Sequence, residues 1–201
     1  MLCLGITGGI GSGKSYVSHI FSALGIPVYE ADSQTKLLYE HDFQLRSGLV
    51  ALLGETIFED GRLQKGTMAA KVFADPTLLE QVNRLVHPAV VEHFFLWKKQ
   101  QEAPYLILES AIILETPFAK SVDKVLTVSA PMDVRLQRIH HRDAASAEDA
   151  KRRIERQWND QMREAKSDFV VHSDGKTPLL PQVLEVHQYM NTLSKQSNSG
   201  R

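Results

Sequence analysis

The chain has 201 residues and a formal net charge of −1, with 23 basic and 24 acidic side chains. This balance produces no global basic field of the kind that attracts nucleic acid or an anionic membrane surface, so we expect neither as a partner. The single cysteine, Cys3, excludes an internal disulfide, and no apolar run approaches the roughly 18 residues of a membrane span, so we expect a cytoplasmic protein.

The first predicted elements are a strand, a glycine-rich loop and a helix. Residues 2–6 form an apolar run typical of a buried strand, and residues 8–15 fit the pattern G-x-x-x-x-G-K-[ST]. The following segment has apolar residues at the spacing of one helix face: Val17, Ile20, Phe21 and Leu24. This context favours a phosphate-binding loop over a glycine-rich turn that binds nothing. The spacing does not fit the dinucleotide pattern G-x-G-x-x-G.

The chemistry of this loop predicts a nucleoside triphosphate as ligand. Glycines remove the Cβ atoms that would block backbone N–H groups from phosphate oxygens, and the helix N-terminus adds further donors. We expect Lys14 to reach the β- and γ-phosphates and the Ser15 hydroxyl to face Mg²⁺, which keeps several waters. The nucleotide-binding residues are thus predicted to be Gly9, Ile10, Gly11, Ser12, Gly13, Lys14, Ser15 and Tyr16.

The remainder of the chain alternates short apolar strands with helices. Residues 43–100 are predicted to be helical, with a turn at 59–61 and a new helix that begins at Pro88. Pro131 and Ser146 each open a helix in the charged region further on. Strands are predicted at residues 26–29, 105–108, 124–128 and 169–171. This alternation predicts an α/β fold in which a parallel sheet is flanked by helices and binds ligands at the carboxyl ends of its strands.

Four acidic residues follow predicted strands at that edge of the sheet. Asp32 is the leading candidate for a general base that accepts the proton of a hydroxyl attacking the γ-phosphate, although a helix N-cap explains it equally well. Asp32 or Glu109 could also hold a water molecule bound to Mg²⁺. For Glu109 and Glu115 the alternative is a local ion pair. We expect Glu30 to be a neighbour of Asp32 rather than a catalytic residue.

The stretch from Arg138 to Lys166 is charged and has a thin apolar stripe, and it is predicted to contain a mobile lid at about 140–162. Its arginines could close over the nucleotide and neutralise charge that develops during phosphoryl transfer. A solvated helix face in surface ion pairs is the alternative for most of them. The candidates are Arg138, Arg142, Arg152, Arg153 and Arg156, of which we favour Arg142 first and Arg138 second.

Three classes of function are compatible with the glycine loop. A GTPase-type switch would normally carry N-K-x-D and D-x-x-G, and neither pattern occurs. A motor or nucleic-acid-handling ATPase would normally be longer, with an apolar strand ending in Asp-Glu. The chain length, Asp32, the helical insert and the arginine-rich lid fit a small-molecule kinase better. The acceptor of such a kinase is open at this point, so any P-loop small-molecule kinase fits. A P-loop ATPase with a macromolecular partner remains the alternative.

Motifs along most of the chain resemble those of dephospho-CoA kinase. The extended loop from Leu4 to Ser15 is narrower than the general phosphate-loop pattern, and Ala31-Asp32 matches the end of the family's D-A-D element. His87-Pro88 matches its H-P pair. Its lid and last strand are matched by Arg142-Asp143, Ala150, Arg153-Ile154, Gln157 and Asp168 to Val171. Glu30 and the segment 110–114 depart from the family's pattern.

The resemblance implies transfer of the ATP γ-phosphate to the ribose 3′-hydroxyl of dephospho-CoA. It implies a nucleoside-monophosphate-kinase-like P-loop fold of three layers, with a core at 1–42 and 103–201 and a helical substrate-binding insert at 43–102. Asp32, Lys14 and Arg142 would be catalytic, and Asp32 and His87 would contact the substrate. ATP and Mg²⁺ would be the cofactors of a monomer or small homo-oligomer.

Overall fold

The computed structural model describes residues 1–143, 146–155 and 157–199 and contains a five-stranded parallel sheet. In chain order the strands are β1 (Leu2–Thr7), β2 (Val28–Glu30), β3 (Phe58–Glu59), β4 (Arg62–Leu63), β5 (Tyr105–Glu109), β6 (Lys124–Ser129) and β7 (Phe169–His172). The sheet order is β2–β5–β1–β6–β7, and β3 pairs with β4 in a separate antiparallel hairpin. The predicted parallel sheet and its five strands are therefore confirmed.

Nine helices are assigned within the described residues. They are α1 (Lys14–Ala23), α2 (Ala31–His41), α3 (Phe43–Leu53), α4 (Lys65–Ala74), α5 (Pro76–Lys99), α6 (Met132–Asp143), α7 (Ala147–Glu155), α8 (Asp160–Glu164) and α9 (Leu179–Ser199). Short 3₁₀ turns lie at Glu55–Ile57, Ile113–Glu115 and Pro117–Ser121. No helix of the described residues is both long and apolar enough to cross a membrane.

The chain divides into two compact units, one of residues 1–30 and 101–201 and one of residues 31–100. The first unit contains the sheet, whose apolar side chains pack with α1 and α9. The fully buried side chains of this core include Leu4, Ile6, Ile107 and Leu126 on the strands. This burial explains why the strands read as continuous apolar runs, since a parallel sheet is covered on both faces.

The second unit is helical and contains α2 to α5 with the small hairpin. The predicted turn at 59–61 is confirmed as the tip of that hairpin, where Asp60 and Gly61 both have positive φ. Asp42 begins α3 as its N-cap and accepts from the N–H of Leu45, while Asp75 caps α5. Helix α5 packs against the other three helices of this unit.

The prediction that a new helix begins at Pro88 is wrong, because α5 runs without interruption from Pro76 to Lys99. Proline lacks the N–H that a helix interior uses, which costs about 3 kcal/mol locally. Pro88 lies on the exposed face of α5, so the proline does not disturb the buried face of the helix. The opposite face buries residues four apart: Val82, Val86, Val90 and Phe94. We attribute the continuity of the helix to this packing, which local propensity does not register.

Candidate active site

The glycine loop adopts a conformation that its glycines permit. Gly13 precedes α1 with φ of 99° and ψ of 19°, a left-handed conformation that other residues adopt only at a cost. As an N-cap it offers no side-chain oxygen to the first turn of α1. No side-chain cap therefore competes with an anion for the first-turn N–H groups of α1.

The carbonyl side of the loop is held by two arginines of α6. Arg138 donates to the carbonyls of Gly11 and Ser12 over 3.3 and 3.0 Å, and to the hydroxyl and carbonyl of Ser173. The Nε of Arg135 donates to the carbonyl of Ile10 over 2.9 Å. A loop that points its N–H groups at one ligand must turn carbonyls outward, where they need donors. The two guanidinium groups meet this need and add positive charge beside the phosphate site.

Gly9 is required for the same arrangement. A Cβ built on Gly9 would lie only 2.2 Å from Nη2 of Arg135. The guanidinium group therefore occupies the space that a side chain would need at this position. Arg135 is 3 % exposed, and its Nη1 donates to Asp160 over 3.2 Å.

Ser15 and Glu109 connect the loop to strand β5, which lies next to β1 in the sheet. The hydroxyl of Ser15 donates to Oε1 of Glu109 over 3.1 Å, while Oε2 is buried and makes no hydrogen bond to the residues described. Burial raises the pKa of Glu109, the positive charge of Lys14 opposes that shift, and the negative charge of Glu30 adds to it. Glu30 and Glu109 are partners in the register of β2 and β5.

This arrangement fits a magnesium ion that is held mainly by phosphates and water. No group of three or more metal-binding side chains occurs in the part of the chain that the structure describes. Mg²⁺ commonly binds one or two protein oxygens together with substrate phosphates. The Ser15 hydroxyl and the unpartnered carboxylate oxygen of Glu109 are the oxygens available here. The metal role of Glu109 therefore stays a prediction, as does an ion pair with the nearby positive charge of Lys14.

A cleft of about 230 Å³ lies beside the loop and α6. It is lined by Gly11, Gly13, Lys14, Ser15, Tyr16, Arg138, Ile139 and Arg142. The structure therefore brings most of the predicted nucleotide-binding residues together with Arg138 and Arg142. The Nζ of Lys14 lies 3.5 Å from the carbonyl of Gly9.

The arginines of the predicted lid fall into different environments. Arg142 donates from Nε and Nη2 to Asp143 over 2.8 and 3.0 Å, and Arg153 donates to the same carboxylate over 2.8 Å. The hydrogen bond to Asp143 raises the pKa of Arg142 and lowers that of Asp143. Arg152 pairs with Asp149 on the surface of α7, which fits the solvated-face alternative. Arg156 lies outside the described residues.

The lid segment is packed against the loop. Ala150 and Ile154 of α7 are buried with Ile139 of α6, and Ile10 packs against this cluster. The N–H of Ile10 donates to Oε1 of Gln157 over 2.8 Å, so this donor of the loop is already engaged. As predicted, Ser146 opens α7, and its hydroxyl accepts from the N–H of Asp149 over 3.1 Å.

Two buried arginines were not singled out in the sequence, Arg135 and Arg163. Arg163 is 1 % exposed and pairs with Asp160 at 3.2 Å and with Glu115 at 3.8 Å, so Glu115 takes the ion-pair alternative. Burial lowers the pKa of Arg163. The available signal for Arg135 was its spacing of three from Arg138, which places both on one face of a helix.

Asp32 and His87 belong to the helical unit. Asp32 lies in the first turn of α2 after the helix has begun at Ala31, and its side chain is exposed. This position differs from that of an N-cap. Burial raises the pKa of Tyr39, and the negative charge of Asp32 raises it further. His87 is half-buried in α5, where burial lowers its pKa and favours the neutral ring.

Comparison with known proteins decides the family. A family model described as dephospho-CoA kinase matches residues 2–178. The chain belongs to the dephospho-CoA kinase family. The dephospho-CoA kinase of Bacteroides fragilis is 42% identical over 188 residues, which are 93% of this chain and 92% of that protein. That of Porphyromonas gingivalis is 39% identical over 193 residues, 96% of each chain.

Solved structures share the fold of this chain. A crystal structure from Thermus thermophilus has a TM-score of 0.85 at 28% identity and covers 94% of this chain and 96% of its own. The dephospho-CoA kinase of Campylobacter jejuni has a TM-score of 0.66 at 20% identity, over 94% and 97% of the two chains, which shows the fold alone. Dephospho-CoA kinases phosphorylate dephospho-CoA in coenzyme A synthesis, with ATP as substrate. The predicted P-loop kinase fold and kinase activity are confirmed.

Proposed function

We propose that this dephospho-CoA kinase transfers the γ-phosphate of ATP to the ribose 3′-hydroxyl of dephospho-CoA in one in-line step. The observation that supports the proposal most directly is the donor half of the site. There the carbonyls of the loop are tied to Arg135 and Arg138 while Lys14 and Ser15 line the adjoining cleft. In such a transfer the protein supplies position and electrostatic stabilisation rather than covalent chemistry.

The donor half of the reaction uses Lys14, Ser15 and Glu109. Lys14 neutralises charge on the β- and γ-phosphates, as its place at the N-terminus of α1 allows. Ser15 and Glu109 would hold Mg²⁺, Glu109 through a water. When bound, the ion neutralises charge that develops on the phosphate oxygens.

The acceptor half is assigned to the helical unit. Asp32 accepts the proton of the attacking 3′-hydroxyl. Its carboxylate is exposed in the first turn of α2 and does not occupy the N-cap position, where it would bind the N–H groups of the helix instead. The insert, predicted at residues 43–102, would bind dephospho-CoA, and neutral His87 would offer it a hydrogen bond. A neutral imidazole can donate from one nitrogen and accept at the other.

Arg142 completes the site when the lid closes. It already lines the cleft beside the loop, and Asp143 orients its guanidinium group through two hydrogen bonds. A positive charge at this position would stabilise the transferring phosphoryl group. Closure would also exclude water, which otherwise competes with the acceptor hydroxyl.

An acceptor panel tests the proposed function. The protein is incubated with Mg²⁺-ATP and, separately, with dephospho-CoA, AMP, other nucleosides, shikimate or no acceptor, and ADP release is followed. We expect ADP release that depends on dephospho-CoA. Equal turnover without an acceptor, or stimulation by nucleic acid alone, would instead support the ATPase alternative. Turnover with shikimate or a nucleoside alone would support another small-molecule kinase.

A further inference from the structure

Two neighbouring peptide groups of the phosphate loop are held by side chains from α6 and from the segment after α7. The N–H of Ile10 donates to Oε1 of Gln157 over 2.8 Å, and the carbonyl of Ile10 accepts from Nε of Arg135 over 2.9 Å. The N–H and the carbonyl belong to successive peptide planes. Both planes that flank Ile10 are therefore fixed by side chains from outside the loop.

Apolar packing accompanies these polar contacts. The side chain of Ile10 packs against Ile139, Ala150 and Ile154, two of which belong to α7. We call the described residues 146–155 and 157–160 the α7 arm. Because the arm contributes both the apolar surface and the Gln157 acceptor, undocking it would break both contacts with the loop at once.

We propose that Gln157 is a positioning residue that couples docking of the α7 arm to the shape of the phosphate loop. In this role Gln157 acts on the loop through its hydrogen bond with the Ile10 N–H. With the Ile10 peptide fixed, the following N–H groups converge on the phosphates. The inference deepens the proposed kinase function and rests on it for the identity of the nucleotide.

The Ile10 N–H has a single hydrogen to donate, so its bond to Gln157 removes it from phosphate recognition. The Ser12 N–H is engaged as well, since it donates to the carbonyl of Gly9 over 3.1 Å. The phosphate donors are then the N–H groups of Gly11 and Gly13 and those of the first turn of α1. Without the Gln157 acceptor, the Ile10 N–H is left unpaired in a packed environment or turns to another acceptor. Either change disturbs the loop before any nucleotide arrives.

Gln157→Met tests this coupling, because it removes the acceptor oxygen and keeps the length of the side chain. We expect the Kd of Mg²⁺-ADP, measured by isothermal titration calorimetry, to rise by about ten-fold, a typical effect of leaving one buried N–H without its partner. The KM of ATP should rise in parallel while the KM of dephospho-CoA stays close to that of the wild type. Gln161→Met, at an exposed glutamine of α8, is the matched control and should bind Mg²⁺-ADP normally.

Amide hydrogen exchange shows whether the change is local to the loop, because a purely global loss of stability would also speed exchange of the buried amides of β1. The Ile10 N–H should exchange faster in Gln157→Met than in the wild type, and should stay protected in Gln157→Glu, which keeps an acceptor oxygen. If Gln157→Met does not fold, Gln157→Asn carries the same expectation, since its amide is one methylene shorter.

An affinity of Gln157→Met for Mg²⁺-ADP within about two-fold of the wild type would overturn the proposal, since loss of even a weak hydrogen bond exceeds that. A lowered Tm with unchanged ADP affinity would also overturn it and assign Gln157 a structural role alone. ADP binding does not require dephospho-CoA or any other molecule that accepts the phosphoryl group. This test can therefore fail while dephospho-CoA is still phosphorylated, and the acceptor panel can fail while this test succeeds.

Discussion

The hydroxyl of Ser15 donates to Oε1 of Glu109 over 3.1 Å and so joins the end of the phosphate loop to the end of β5. This relationship predicts that Glu109 supports Mg²⁺ through a bound water. Glu109→Gln should raise the Mg²⁺ concentration for half-maximal activity by about 10- to 100-fold, as is common for outer ligands of a metal. A magnesium titration at fixed ATP measures it, with the exposed Glu102→Gln as control. An unchanged magnesium dependence would remove Glu109 from this role.

The same carboxylate should lower the stability of the protein without ligand. Burial raises the pKa of Glu109, so the folded protein binds a proton there more tightly than the unfolded chain does. That contribution to stability is present at low pH and is lost as pH rises through the raised pKa. Glu109→Gln resembles the protonated form. It should raise the Tm of the ligand-free protein at about pH 8 and match the wild type at low pH, where Glu109 is itself protonated.

Thermal unfolding over a pH series checks this expectation. A Tm of Glu109→Gln below that of the wild type at neutral and alkaline pH would show that the ionised carboxylate is stabilised in the folded protein. The hydrogen bond from Ser15 would then outweigh the cost of burial.

Asp32 is proposed to accept the proton of the acceptor hydroxyl. Asp32→Asn keeps the shape of the side chain and removes its basicity, so kcat should fall by about 10²-fold or more while ATP binding is preserved. Steady-state kinetics and ADP titration separate the two effects. Glu40→Gln, an exposed change on the same helix, should leave kcat unaltered. Near-normal turnover of Asp32→Asn would exclude Asp32 as the base.

Arg142 is proposed to stabilise the transferring phosphoryl group. Arg142→Met should lower kcat by about 10²- to 10³-fold, the usual effect of removing one donor to developing charge. The matched control is Arg152→Met, because Arg152 is an arginine of α7 whose partner is the surface residue Asp149. Equal losses in both variants would indicate a general effect of lid charge rather than a specific role of Arg142.

Arg138 should matter for stability as well as for nucleotide binding. Arg138→Met leaves the carbonyls of Gly11 and Ser12 without this donor, so the free energy of unfolding should fall by about 2 to 3 kcal/mol. Urea unfolding measures the difference. Arg84→Met removes an exposed ion pair with Glu80 instead and should change the free energy of unfolding by less than about 1 kcal/mol. Similar values for both variants would contradict the role of Arg138 under the loop.

Much of the fold was predictable because its signals are local. The apolar runs that became β1, β5 and β6 are buried on both faces of the sheet, and the glycine loop begins directly after β1. The continuity of α5 across Pro88 was not predictable from the residues around it. That continuity depends on contacts of α5 with α2, α3 and α4, which are distant in sequence.

The candidate site divides in the same way. Lys14 and Ser15 follow from one contiguous motif, whereas the support of the loop by Arg135 and Gln157 spans sequence separations of 125 and 147 residues. Many arginines occupy this region, and the spacing of three between Arg135 and Arg138 places both on one helix face without showing that Arg135 is buried beneath Gly9. Such a role becomes visible only when α6 and the loop are placed together.

The position of the transferred phosphate tests the central claim most directly. Dephospho-CoA is incubated with the protein and Mg²⁺-ATP, and the product is analysed by mass spectrometry and by phosphorus–proton correlation NMR. We predict one ADP for each phosphorylated acceptor, with the new phosphorus coupled to the proton on C3′ of the ribose. A phosphate on any other hydroxyl, or ADP formed without a phosphorylated acceptor, would contradict the proposed reaction.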